Sequence, residues 1–430
     1  MKTNYIKQAW TSLRQQPVVS IVSVAGTALA IFLIMLVVMI DQVQYEPFAP
    51  ESNRDRWLIY RTGTISNEKW GANDMSNGPI GFKTVKQVLY RMEVPEAVTA
   101  FSVTPSTASI SLPNEPAFGQ QLLDVDDGFW KVFDFTFVEG KPFTKEDFDS
   151  GQTKAVVSES TAKKLFGTTD VVGREMLINH TPYNICGVVE DVSNLASFSY
   201  ADIWVPFTST TVADFRWCEY MGGLSMIMLA KDPSDMPAMR EECHRLFDEL
   251  NKEAAAKGWK FLHLERPYTQ FVMAKTRDAS QGPDMDSVYR RKFIVFLILL
   301  IVPAVNLSSM THSRMVRRRE EIGVRRAFGA KRSEIIANLF FESLIITIVS
   351  GLIGLLMSLI CGLCFGDSIF DPFSWSDNYK VTSVSLVQLF HWSTFAWTML
   401  FCFILNLLSA ALPSINASRV NIVNAISGKH

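Results

Sequence analysis

Four strongly apolar stretches, unevenly spaced along 430 residues, limit what this chain can fold into. They run from Val18 to Ile40, from Phe293 to Thr311, from about Ile335 to Phe365, and from Leu386 to Leu412. A helix that crosses a bilayer needs about 20 predominantly apolar residues, and each stretch meets or approaches that length. Between the first two lies a water-compatible segment, Asp41 to Lys292, more than half the chain and large enough for its own core or two small ones. The mean hydropathy of +0.13 averages over these two unlike materials. The net charge of −2 does the same, so the placement of charge is more informative than its sum. The expected fold class is an α-helical integral membrane protein of four transmembrane helices, with a mixed α/β extracytoplasmic domain inserted between spans 1 and 2.

Orientation follows from arginine. Between the second and third apolar stretches runs RMVRRREEIGVRRAFGAKRSEIIANLFFE, Arg314 to Glu342. Arg314, Arg317, Arg318, Arg319, Arg325, Arg326, Lys331 and Arg332 outnumber Glu320, Glu321 and Glu334. Short basic loops stay on the cytoplasmic side. The segment from Gly366 to Ser385 sets Asp367, Asp371 and Asp377 against Lys380, as expected of an external loop. The predicted topology is therefore a cytoplasmic segment over 1–17, spans at 18–40, 293–311, 335–365 and 386–412, and a cytoplasmic tail over 413–430. The 41–292 domain and the 366–385 loop lie outside, and 312–334 lies inside.

That basic loop also has internal order. Val324, Ala327 and Phe328 fall at i, i+3 and i+4, which gives a short helix one apolar ridge among arginines. Gly323 and Gly329 bracket the ridge, and Gly329 is placed to end one helix before the next begins. Taken on residues alone, two readings stand: an amphipathic turn on the anionic inner leaflet, or a docking helix for a cytoplasmic partner.

The first span follows a short basic start (Lys2, Lys7, Arg14) and Pro17. It is too long for a typical signal-peptide core and no A-x-A site follows Asp41, so an uncleaved anchor is expected. Ser23 with Thr27, and Gly26 with Ala30, form small-xxx-small pairs that suit close helix packing. Pro303 should kink the second span, with Asn306, Ser308 and Ser309 able to satisfy the freed backbone groups. In the third, Ser350, Gly354, Ser358 and Gly362 recur at every fourth position. Helix packing is the leading reading of that small face, and a substrate groove the lesser one. Glu334, Asn338 and Glu342 line a polar edge, and Glu342 must find a donor or an aqueous cleft. Pro413 is expected to end the fourth span.

In the segment Asp41–Lys292, β-branched and aromatic runs predict strands at Trp57–Tyr60, Ser106–Leu112, Lys154–Val157, Glu175–Ile178, Tyr183–Val189, Asp202–Val205, Leu224–Leu229 and Lys260–Leu264. Helical periodicity predicts Phe82–Arg91, Ser160–Phe166 and Met236–Lys257, with Gly167 and Gly258 as C-caps. The six cysteines make no disulfide framework: Cys186, Cys218 and Cys243 are an odd, scattered trio, and Cys361, Cys364 and Cys402 sit in apolar runs.

Catalytic signatures are missing. The chain has no G-x-x-x-x-G-K-[ST] phosphate loop, no H-E-x-x-H and no G-x-S-x-G. No enzyme activity, bound cofactor, metal or nucleic-acid partner is expected of it, and energy must come from elsewhere.

A longer pattern joins these features. NLSSMTHSRMVRRREEIGVRRAFGAKRSEIIANLFFES resembles the signature of MacB/FtsX-type ABC transporter permeases, in which a span ends in Asn, a basic stretch leads to EIG-x-R-x-A-x-GA, and the next span carries an early Glu. The matching positions are Asn306, Glu321, Ile322, Gly323, Arg325, Ala327, Gly329, Ala330 and Glu342. QLLDVDDGFWKVFDFTFVEGKPF and AVVSESTAKKLFGTTDVVGREMLINHTPYNICGVVEDV are similar to stretches of that family's outer domain, with Lys141 where Arg is usual. The tail matches through Pro413, Ala417, Arg419, Ala425 and Ile426 and departs at Ile422, where the family has Pro.

The resemblance implies a permease of the inner membrane that pairs with a second permease chain, identical or paralogous. It implies a separate ABC ATPase subunit, holding ATP and Mg, docked on Glu321, Gly323, Val324, Arg325, Ala327, Phe328, Gly329 and Ala330. It implies mechanotransmission, in which ATP hydrolysis below moves the domain outside. Efflux of a peptide, antibiotic or other amphiphile is the expected task, with a periplasmic adaptor and outer-membrane channel as further partners. Lipoprotein extraction, and regulation of an external cell-wall hydrolase without transport, stand as alternatives.

Overall fold

The computed structural model describes residues 11, 14, 15, 17–71, 74–276, 280–299, 301, 332–370 and 392–419. Expectations for Pro303, Asn306, the 312–331 stretch, the external loop beyond 370 and the tail beyond 419 lie outside these residues. In chain order the elements are α1 (Pro17–Gln42), β1 (Trp57–Tyr60), β2 (Gly63–Asn67), β3 (Ser76–Gly78), α2 (Phe82–Gln87), β4 (Ala97–Ser102), β5 (Ser106–Ser111) and β6 (Phe118–Val125). Next come α3 (Phe129–Val132), β7 (Phe137–Gly140), α4 (Lys145–Asp149), β8 (Lys154–Ser158), α5 (Glu159–Phe166), β9 (Glu175–Ile178), β10 (Thr181–Val189), β11 (Ile203–Pro206) and β12 (Leu224–Leu229). The last are α6 (Met236–Ala255), β13 (Trp259–Phe261), α7 (Gln270–Lys275), α8 (285–299), α9 (Arg332–Phe370) and α10 (Trp392–Arg419). Two compact units hold them: a helical one with α1, α8, α9 and α10, and a mixed one over Val43–Met285.

In the mixed unit, β1, β12, β4, β6, β11, β8, β10, β9 and β5 follow one another across a ten-stranded sheet, with β7 added on β10. The path closes on itself, because β5 also pairs with β6, from Ser106↔Leu122 to Ile110↔Phe118. Six strands thus form a ring without free edges, filled by Ala108, Ile110, Leu122, Val157, Met176, Ile185 and Val205. Outside the ring the sheet is covered on both faces. Leu58 and Tyr60 of β1, with Met226 and Met228 of β12, meet α6 through Met239, Cys243, Leu246, Phe247 and Leu250. Those α6 positions recur three and four residues apart, the spacing of one helical stripe. Tyr60 and Phe247 stack with ring centres 4.7 Å apart. Trp57, Ile59, Ile227 and Leu229, the alternate residues, face an aromatic core of Phe101, Phe129, Phe133 and Trp204.

The eight expected strands all form, with ends shifted by up to three residues. Five strands went unforeseen: β2, β3, β4, β6 and β7. β6 begins FGQQ before LLDV, a run without simple alternation. It becomes a strand because partners on both sides, β5 and β11, supply its hydrogen bonds. The expected helix over Phe82–Arg91 breaks into α2 and a short 3-10 turn at Leu89–Arg91. Gly167 ends α5 at a φ of +75°, where a side chain would strain the backbone. Gly258, at the same φ, falls beyond the last turn of α6, which closes at Ala256.

In the helical unit, α1 and α9 contain apolar stretches long enough to cross a membrane, Ser20–Gln42 and Phe340–Phe365, while the apolar part of α10, Trp392–Ile404, is shorter among the described residues. One expectation is corrected. α10 runs through Pro413 to Arg419 and does not end at the proline. Proline removes one donor, and helices in membranes absorb that loss more readily than helices in water.

Candidate functional site

Where the chain leaves α1, it is fastened by one buried ion pair. Glu51 and Arg54 are 0 % and 2 % exposed. Arg54 Nε and Nη2 both lie 2.7 Å from Glu51 Oε2. Arg54 Nη1 donates to the carbonyls of Val43 and Glu46 at 2.9 and 3.1 Å, and Nη2 to that of Leu195 at 2.9 Å. Four of the five guanidinium N–H groups are thereby used in hydrogen bonds. The other Glu51 oxygen accepts from Phe198 N, Ser199 N and Ser199 Oγ at 2.8, 3.0 and 3.1 Å. The Phe48 ring covers the guanidinium at 4.2 Å.

A second set ties this stretch to the chain that leads back to α8. Gln270 Nε2 donates to the Gln44 carbonyl at 2.8 Å, and Lys275 Nζ to Gln44 Oε1 at 2.9 Å. Trp57 Nε1 donates to Gln270 Oε1 at 3.2 Å, and Tyr45 meets Phe271 edge-on at 5.2 Å. Ile59 and Tyr268 exchange backbone hydrogen bonds at 2.7 and 2.9 Å. The outgoing and returning chains are therefore tied together over residues 44–59 and 268–275. In the helical unit Lys292 meets Asp41 at 2.7 Å, and Gln42 Nε2 donates to Thr394 Oγ1 at 2.7 Å.

The small face of α9 lies on α1. Ser350 Oγ donates to the Val24 carbonyl at 3.1 Å. A methyl group added at Gly354 would sit 2.7 Å from the Ala28 carbonyl and 3.0 Å from Ile31. Ser358 is fully buried and turns its hydroxyl to its own helix, donating to Leu355 O at 2.8 Å, and Gly362 is buried too. On α1, Ser23 and Thr27 are buried, as is Ala30, while Gly26 is half-buried. Glu342 is 4 % exposed. Gly351 escaped sequence reasoning, because it falls off the fourfold repeat. It faces α10, where an added methyl would meet Met399 Sδ. The remaining site residues expected from the sequence, Asn306, Glu321, Gly323, Val324, Arg325, Ala327, Phe328, Gly329 and Ala330, lie outside the described residues.

Two buried carboxyls sit within the mixed unit. Asp126 accepts from Thr99 Oγ1, Ala100 N, Tyr90 Oη and Phe129 N at 2.6 to 3.0 Å. Burial pushes it up to about 7 against the pull of those donors. Burial likewise raises Asp124 to about 6, opposed by the hydrogen bond from Thr210. They tie β6 and the residue that follows it to neighbouring chain. Among the described residues no group of three or more His, Cys, Asp or Glu is arranged to hold a metal. The geometry is that of a fastening, with bonds spent on holding backbone segments together.

The helical unit holds two helices long and apolar enough to cross a membrane, and the mixed unit is an α/β domain built on a closed sheet. The sequence matches the model of the MacB-like periplasmic core domain over residues 20–246 and that of the FtsX-like permease C-terminal region over residues 293–422. The first match takes in more than half the chain, and the chain belongs to the MacB/FtsX-type ABC transporter permeases. The ABC transporter permease YknZ of Bacillus subtilis is 22% identical over 70% of this chain and 68% of its own length. The macrolide export ATP-binding/permease protein MacB of Pasteurella multocida is 24% identical over 70% of this chain but only 42% of its own. The match thus spans less than half the length of that exporter. The solved periplasmic region of MacB from Actinobacillus actinomycetemcomitans covers 47% of this chain and 88% of its own, at 18% identity and a TM-score of 0.33.

Proposed function

We propose that this chain couples ATP hydrolysis by a separate ATPase subunit to movement of its own outer domain. It does so as a four-span protein of the cell's inner membrane, with residues 41–292 outside and both termini in the cytoplasm. The observation that carries the reading is the double fastening: Gln44 to Gln270 and Lys275, and Asp41 to Lys292. A displacement of α1 along its axis reaches the outgoing chain and, through these bonds, the returning chain. Hydrogen bonds between the outgoing and returning chains suit transmission of force from one to the other. Glu51 and Arg54 then pass that displacement to the 195–199 segment beside the aromatic core. In this scheme ATP and Mg reside on the partner, this chain performs no catalysis, and a second permease chain completes the transporter. Export of a peptide, antibiotic or other amphiphile is the proposed task, supported by the macrolide exporter among the relatives.

The stretch Glu321–Ala330 carries the ATPase contact in this proposal, with Phe328 as its anchor. A buried aromatic anchor contributes about 2 kcal/mol or more, or roughly 30-fold in affinity. Phe328→Asp is expected to reduce ATPase retention by that order in pull-downs at matched membrane levels. Arg318→Glu, at the rim, is expected to change it far less. If Phe328→Asp retains the ATPase as the parent does and Arg318→Glu loses it, the stretch is an electrostatic membrane contact and the coupling scheme fails.

A further inference from the structure

One groove of the helical unit lies between α1 and α9. Arg14, Ile21, Ala25 and Leu29 on the α1 side, with Ile353 and Met357 of α9, wall a cavity of about 720 Å³. Apart from Arg14 and Ser20, every described lining side chain is hydrocarbon or thioether. The groove is concave because Ala25 is small and exposed between larger neighbours: Ile21 is 66% exposed, Leu29 51%, and Met357 42%.

Charge and depth point to one occupant. Among the described lining residues Arg14 is the only charged one. At 1.5 Å per residue, the helical path from Arg14 to Leu29 covers about 22 Å. Half a bilayer's hydrocarbon core is about 15 Å deep, so the groove begins at headgroup level and continues past the midplane. A guanidinium matches a phosphate through paired N–H donors.

We propose that this groove holds one acyl chain of an anionic phospholipid from the surrounding bilayer, with its phosphate on Arg14. The proposal rests on reading α1 and α9 as membrane-spanning. The site would retain phosphatidylglycerol-type lipid beside the α1–α9 contact on which coupling depends.

The test uses the full chain, purified with its ATPase subunit and placed in nanodiscs containing equal amounts of phosphatidylglycerol and phosphatidylethanolamine. Retained lipid is read by native mass spectrometry after mild detergent release. The parent should retain phosphatidylglycerol at least five-fold over phosphatidylethanolamine. Arg14→Gln should lose that preference, and Ala25→Trp, which fills the groove, should lose the retained lipid. Val18→Trp, exposed but outside the groove, should behave as the parent. Unchanged retention by Ala25→Trp, or unchanged preference by Arg14→Gln, would show ordinary annular lipid and overturn the proposal. So would a change in subunit stoichiometry of Ala25→Trp with lipid unaffected, which marks the groove as a contact between copies. Alkaline extraction of membranes separates the two levels: release of the parent chain would overturn the spanning reading itself.

Discussion

Lys292 Nζ lies 2.7 Å from Asp41 Oδ2, joining the last turn of α1 to α8, 251 residues further along the chain. The pair is about three-quarters buried, with side-chain exposures of 28% and 26%. It sits one residue before Gln42, which reaches Thr394 of α10. Three helices are thereby joined at one level.

If this pair carries displacement from α1 to α8, Lys292→Glu should lower ATP-driven transport by the assembled complex. A partly exposed pair contributes about 1 kcal/mol, so a loss of about five-fold is expected. The double reversal, Asp41→Lys with Lys292→Glu, should recover most of it. Full transport by the single variant would mark the pair as incidental.

Glu51 and Arg54 should matter more for stability. Removing one partner leaves the other buried and uncompensated, a loss of about 3–5 kcal/mol. Thermal unfolding of Arg54→Met should therefore fall by about 10 °C for a unit of this size. Replacing both, by Glu51→Leu with Arg54→Met, should unfold higher than Arg54→Met alone. An unchanged midpoint for Arg54→Met would contradict the packing described.

Gly354 tests the contact between α1 and α9. A leucine there meets the Ala28 carbonyl and Ile31, both part of a packed helix with little room to move. Gly354→Leu is expected to lower the unfolding temperature of the helical unit and to abolish coupling. Gly351→Ala meets only the flexible Met399 side chain and should be mild. Equal effects from both would show that helix propensity, and not the contact, governs this face.

The Asp126 carboxyl gives a pH signature. Its folded pKa, about 7, exceeds its unfolded value, so folding favours the protonated form. Its contribution is fully present below about pH 4 and is lost as pH rises to about 7. Between pH 5 and 8 the melting temperature should decline with pH. Asp126→Asn should melt lower throughout, by about 1–3 kcal/mol, because its amide nitrogen faces donors. Its slope over the same interval should be flatter, and an identical slope would remove Asp126 as the source.

The sequence by itself determined the elements whose causes are local. The apolar runs of α1 and α9 are long enough to be recognised without partners. The stripe Met239–Cys243–Leu246–Phe247–Leu250 marked α6, and short apolar runs marked β1, β8 and β12. The fourfold repeat from Ser350 to Gly362 marked a close-packing face, though not its partner. Only the tertiary structure decided what distant pairing creates. β6 exists through β5 and β11, and the ring closes because one strand pairs at two ends. Gly351 is small because Met399, 48 residues away, lies against it. The knot of Gln44 with Gln270 and Lys275 joins residues more than 220 apart, none of them unusual in its own neighbourhood. Hydrogen-bonding side chains acquire their partners through topology, and no periodicity in the chain encodes a bond between two segments that meet only when folded.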